Sequence, residues 1–77
     1  MDEKRKDVFS MLLIELEKAE RKHPEFPEDP AGALAIIAEE MLELTRAVND
    51  NEPKKRQMEE ACHVAVTAFR FIEKNLE

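Results

Sequence analysis

The sequence predicts an all-α protein, a single domain over residues 1–77 with helices near 2–22, 30–49 and 53–75. Three observations carry this. Apolar residues recur every three or four positions in three separate stretches, the periodicity of a helix with one face turned inward. One Gly, no Trp, no Tyr and few β-branched runs leave little material for a sheet. Two breaks containing Pro separate the stretches, and proline both lacks a backbone donor and clashes with the preceding helical turn.

In the first stretch Val8, Leu12, Leu16 and Ala19 form a stripe, widened by Phe9, Met11, Leu13 and Ile14. Asp2 and Glu3 suit the positive end of the helix dipole, and Arg21 and Lys22 the negative end. His23-Pro24 stops it, and the connector to Pro30 is short and stiff, with Phe26 expected to plug a gap between helices. Asp29-Pro30 is an N-cap followed by a first-turn proline, so it opens the second helix. Ile37, Met41, Leu44 and Val48 are its expected inner stripe, with Glu40 on the flank. Residues 49–53 form the second turn, with Pro53 in the first turn of the third helix. Met58, Ala61, Cys62, Ala65, Phe69, Ile72 and Leu76 line one side of that helix and are expected to face the core. Val64 and Phe71 lie off this stripe, on the side that carries Glu60, which suggests a partner subunit or ligand there.

A chain this short buries only about 60–65% of the surface it exposes when unfolded, so its core is marginal and association is an expected remedy. Acidic residues outnumber basic ones 18 to 12, for a net charge of −6, and the basic residues are scattered. That argues against nucleic acid or an anionic membrane as partner. The N-terminus lacks the apolar core of a signal peptide, and nothing resembles a spanning helix. The expected location is the cytoplasm. Cys62 is the only cysteine and reads as a buried small residue rather than a nucleophile.

The most informative stretch is Glu39-Glu40-Met41-Leu42-Glu43, where three carboxylates sit in the most apolar helix. Glu40 and Glu43 at i and i+3 share a helical face. The third helix supplies a second such pair, Glu60 and His63, and a short turn makes the two helices antiparallel neighbours. Facing carboxylate pairs suit hard divalent ions such as Mg²⁺ or Mn²⁺, which bridge to phosphate oxygens. Competing with this, Lys55–Glu59, Arg56–Glu60 and Glu43–Arg46 have the spacing of ordinary solvated helix pairs. Glu39 and Glu43 are like charges one turn apart, and Glu40 has Leu44 rather than a base at i+4. That uncompensated repulsion favours an external cation.

Glu39-Glu40-x-x-Glu43, followed after sixteen residues by Glu60-x-x-His63, resembles the Glu-Glu-x-x-Glu and Glu-x-x-Asp signature of the MazG-like all-α nucleoside triphosphate pyrophosphohydrolases. The similarity extends to the segment from His23 to Pro30, to Ala47-Val48 and to the run from Ala65 to Ile72, so it covers most of the chain. It implies a helical subunit that pairs into a dimer or tetramer, binds Mg²⁺ on facing helices and hydrolyses a nucleoside triphosphate to monophosphate and pyrophosphate. Matched by position, Glu40, Glu43, Glu60 and His63 occupy the places of the metal ligands. Glu39 matches a carboxylate that helps orient the attacking water.

The sequence departs from that pattern at His63, where Asp is expected. Imidazole is a poor ligand for Mg²⁺ and a better one for Zn, Fe or Ni, so the change weakens the site or alters its metal. His63 also reads as a hydrogen-bonded neighbour, with Glu59 four residues before it. The family's extra C-terminal helix is not expected within residues 1–77, and there is no Trp or Tyr to stack on a base, leaving Phe26 and Phe71 as aromatic candidates. Arg70 and Lys22 have the chemistry to touch phosphates but read as solubilising residues. Two other readings remain: a catalytically inactive binding or regulatory protein of the same fold, and a di-iron protein, because Glu-x-x-His is also a di-iron signature.

Overall fold

A computed structural model of the chain describes residues 1–76. It contains three helices, α1 (Glu3–Lys22), α2 (Pro30–Asn49) and α3 (Lys54–Asn75), and no strand among the described residues. The expected boundaries hold to within a residue at each end, and the differences lie in the caps. Asp2 precedes α1 as its N-cap, accepting a hydrogen bond from the Arg5 amide at 2.8 Å. Asp29 caps α2, and Pro30 takes the first helical position, where its missing N–H costs nothing. Pro53 is the cap of α3 rather than part of its first turn. Its carbonyl receives the Gln57 amide at 3.1 Å, while the Gln57 side chain donates to the Glu52 carbonyl at 2.8 Å.

The α2–α3 turn closes through Asn51, whose φ of 52° lies in the left-handed region. That conformation lets the Glu52 amide reach back to the Ala47 carbonyl at 3.0 Å while the Asp50 amide bonds the Arg46 carbonyl at 2.9 Å. Asparagine thus takes the place usually held by glycine at a helix C-terminus.

Helix α3 is the centre of the molecule. It packs against both α1 and α2, whereas α1 and α2 do not meet among the described residues. Its inward face carries Glu60, Cys62, Val66 and Arg70, all buried, with His63 and Thr67 half-buried. This corrects the expected orientation. The apolar stripe lies about 100–120° round the helix. Of its residues only Cys62 is buried, while Met58 is 49% and Phe69 47% exposed. Polar side chains that pair with one another and with the connector have taken the inner position.

Helix α2 is turned in the same sense. Ala33 and Ala47 are buried, and Ile36, Ile37, Glu40 and Leu44 half-buried between them, so Glu40 sits in the middle of the inward face rather than on its flank. Met41 and Val48, expected inside, are exposed. Helix α1 buries no residue fully, although Leu12, Glu15, Leu16 and Ala19 are half-covered against α3. Phe26 is buried as expected and anchors the connector, whose Glu28 also pairs with Lys74 at 2.9 Å. The space between α1, the connector and α2, with α3 behind it, is a groove of about 920 Å³.

Candidate functional site

One end of this groove is built from the residues that the sequence singled out. Glu40 from α2 and His63 from α3 both line it, and Glu60 reaches the same point from one helical turn before His63. The His63 ring lies among three carboxylates. Its Nδ1 is 3.0 Å from Glu60 Oε1 and 3.7 Å from Glu40 Oε2, and its Nε2 is 3.5 Å from Glu15 Oε2. Glu59, expected within reach of His63, is not its partner.

Glu60 is the most deeply placed of these acids, at 4% exposure. A carboxylate so buried needs donors, and its Oε1 receives two: His63 Nδ1 and Arg56 Nη1, the latter at 3.1 Å. Arg56 also lies 3.6 Å from Glu52 Oε1, and the Glu60 carboxylate raises its pKa. The i, i+4 pair between Arg56 and Glu60, read as an ordinary helix pair, is therefore a structural tie to a buried acid. Thr67, one turn beyond His63, donates to the His63 and Val64 carbonyls at 3.0 and 2.9 Å, which keeps its hydroxyl on its own helix.

Glu40 is less well provided for. Its Oε2 is fully covered and has no hydrogen-bond partner among the described residues. Burial raises its pKa. The adjacent Glu43 carboxyl raises it further, by favouring the protonated form through hydrogen bonding and by charge repulsion, and Glu60 adds to this, while His63 acts in the opposite direction. Glu43 itself is exposed, beside Glu40 on the flank of α2, and Glu39 is an exposed residue on the groove wall.

The structure thus gathers Glu40, Glu60 and His63, sets Glu43 against Glu40, and leaves Glu39 at the edge. The residue that sequence reasoning missed is Glu15. Its signal was present: it falls between Leu12, Leu16 and Ala19 on the inward side of α1, an odd position for a charge unless it meets one.

The donor chemistry fits a hard divalent cation in part. Glu40 and Glu60 are oxygen donors on neighbouring helices, and the bare Oε2 of Glu40 is the kind of atom a cation satisfies. Against this, no group of three or more His, Cys, Asp or Glu side chains is arranged to hold a metal ion among the described residues. The imidazole stands where the carboxylates converge and supplies the positive counterpart itself when protonated.

Helix dipoles, glycine loops and nucleophile arrangements contribute nothing comparable to the acidic cluster among the described residues. No family model, curated protein or solved structure matches the chain.

Proposed function

We propose that the chain is a MazG-like, metal-dependent nucleoside triphosphate pyrophosphohydrolase, working in the cytoplasm as a homodimer or homotetramer. The observation that carries this reading is the buried, unpartnered Oε2 of Glu40 set among further carboxylates on a groove wide enough for a small molecule. Glu40, Glu43 and Glu60 are the residues that would hold Mg²⁺ or Mn²⁺, with His63 joining them for a softer divalent ion. When bound, the ion would neutralise phosphate charge and lower the cost of bringing a triphosphate to an acidic wall. The chain's own residues supply the rest. Glu39, on the groove wall, orients a water toward the bound phosphate, and water cleaves the triphosphate to monophosphate and pyrophosphate. Arg56 holds the Glu60 carboxylate in place.

His63 favours a second reading, a protein of the same fold that binds without turnover. An imidazole bonded to Glu60 at 3.0 Å fills the position that a ligand carboxylate would leave open to a cation. The same contact weakens the di-iron alternative, since the Glu60-x-x-His63 pair is spent on itself rather than on a shared centre.

The two readings separate in one experiment. Calorimetric titration with Mg²⁺, Mn²⁺, Zn²⁺ and Fe²⁺, run beside pyrophosphate release from mixed nucleoside triphosphates, is expected to give Mg²⁺-dependent release. Replacing the imidazole by a carboxylate, His63→Asp, is expected to tighten Mg²⁺ by about 1–3 kcal/mol and raise the rate. Divalent binding without pyrophosphate release in either form would select the non-catalytic reading. No divalent binding in either form would reject the metal site.

A further inference from the structure

The opposite end of the same groove holds a buried cation that the acidic centre does not use. Arg70 is 9% exposed. Its Nη2 donates to the His23 carbonyl at 2.8 Å, and its guanidinium carbon lies 5.1 Å from the centroid of the Phe26 ring. A guanidinium has five N–H donors, and the carbonyl uses one face of the fork. Among the described residues no carboxylate pairs with it. Of the acids that line this groove, Glu28 binds Lys74, Glu15 binds Lys18 at 3.4 Å and faces His63, and none of Glu25, Glu39 and Glu40 makes an ion pair with Arg70.

In a chain of net charge −6, a buried arginine without a counter-ion is an anomaly of sign as well as of burial. The carbonyl and the ring fix its plane without neutralising its charge. Arg70 and, from α1, Lys22 both line the groove. Planar, pre-oriented guanidinium donors match the two oxygens of a phosphoryl or carboxylate group.

We propose that Arg70 is an anion-binding site, taking the phosphoryl or carboxylate group of a small molecule into the groove, with Lys22 as its second positive charge. Arg70 lies seven residues beyond His63 on α3, about 10 Å along the helix axis. The site is therefore separate from the acidic cluster and needs no divalent cation.

The test is a titration of the whole ¹⁵N-labelled chain in a chelating buffer, with inorganic phosphate in one arm, acetate in a second and sodium chloride at matched ionic strength in a third. The Arg70 Nε–H resonance is expected to shift saturably with at least one oxyanion and not with chloride. The arm that saturates at lower concentration tells phosphoryl from carboxylate. Arg70→Lys, which keeps the charge and loses the fork, is expected to bind roughly tenfold more weakly. Lys22→Gln is expected to weaken binding without loss of fold, and Lys4→Gln to change nothing. Should Arg70→Lys not fold, the wild-type titration and Lys22→Gln decide the matter. A linear shift identical to that from chloride, or unchanged affinity in Arg70→Lys, would show an arginine that only pins the connector to α3. Because chelator is present throughout, failure of the metal reading leaves this outcome untouched.

Discussion

Glu40 is the residue whose protonation the fold most clearly alters. A carboxyl with a folded-state pKa raised above its usual value near 4.5 binds its proton more tightly in the folded chain than in the unfolded one. Its stabilising contribution is therefore complete at low pH and is lost as pH rises through the raised pKa. Glu40→Gln, which keeps the shape and removes the charge, is expected to melt at a higher temperature than the wild type at pH 7 in chelator, with the gap closing toward about pH 4. A wild type more stable than Glu40→Gln at neutral pH would mean that His63 compensates Glu40 fully. At this scale the sequence was partly legible. Of the two pairs at i, i+3 on neighbouring antiparallel helices, Glu40, Glu60 and His63 lie together, while Glu43 stands exposed beside Glu40. Glu15 is absent from the sequence reading although its place between Leu12, Leu16 and Ala19 is a signal, and Arg70 reads there as solubilising, because its burial depends on the connector that packs on α3. The partner of His63 was misjudged for a related reason: Glu59 and Glu60 are both within side-chain reach, and burial of Glu60 decides between them.

At the level of elements, Pro and capping residues mark the starts of all three helices and the ends of the first two, since caps and breakers act locally and leave a local trace. The facing of α3 did not follow. Hydrophobic periodicity finds an apolar stripe but does not say whether the same chain or another molecule covers it. Here the stripe from Met58 to Leu76 is largely exposed, Cys62 excepted, while Glu60 and Arg70 are buried on the inward face with Val66. The α2–α3 turn offers a sharper test of local chemistry. Asn51 holds a left-handed backbone that costs most residues about 1–2 kcal/mol. Asn51→Ala is expected to lower the free energy of unfolding by about 1 kcal/mol, and Asn51→Gly to leave it within about 0.5 kcal/mol of the wild type. Urea midpoints at unchanged slope would measure both. Equal stability of the alanine and glycine variants would show that the turn relaxes out of this conformation.

For the whole molecule, surface area states the problem most directly. A folded monomer of this mass exposes roughly 4,800 Å², whereas this chain exposes 6081 Å². Its radius of gyration, 13.2 Å, also exceeds the roughly 11.5 Å expected for its length. The excess is of the order that one partner contributes to a stable interface, and exposed Val8, Phe9, Leu13, Phe69 and Ile72 are apolar material for it. Sedimentation at micromolar concentration is expected to give a dimer or tetramer, with a melting temperature that rises with protein concentration. A monomer with a concentration-independent transition would refute the assembly. The small core gives Cys62 a further significance. Its thiol is buried, and burial first, then the charges of Glu15 and Glu59, raise its pKa above 9.0. The thiolate that attacks alkylating reagents is therefore scarce while α3 is covered and forms more readily once it is not. A chain with no aromatic chromophore beyond phenylalanine carries, in that single thiol, its own clock for how often the bundle comes apart.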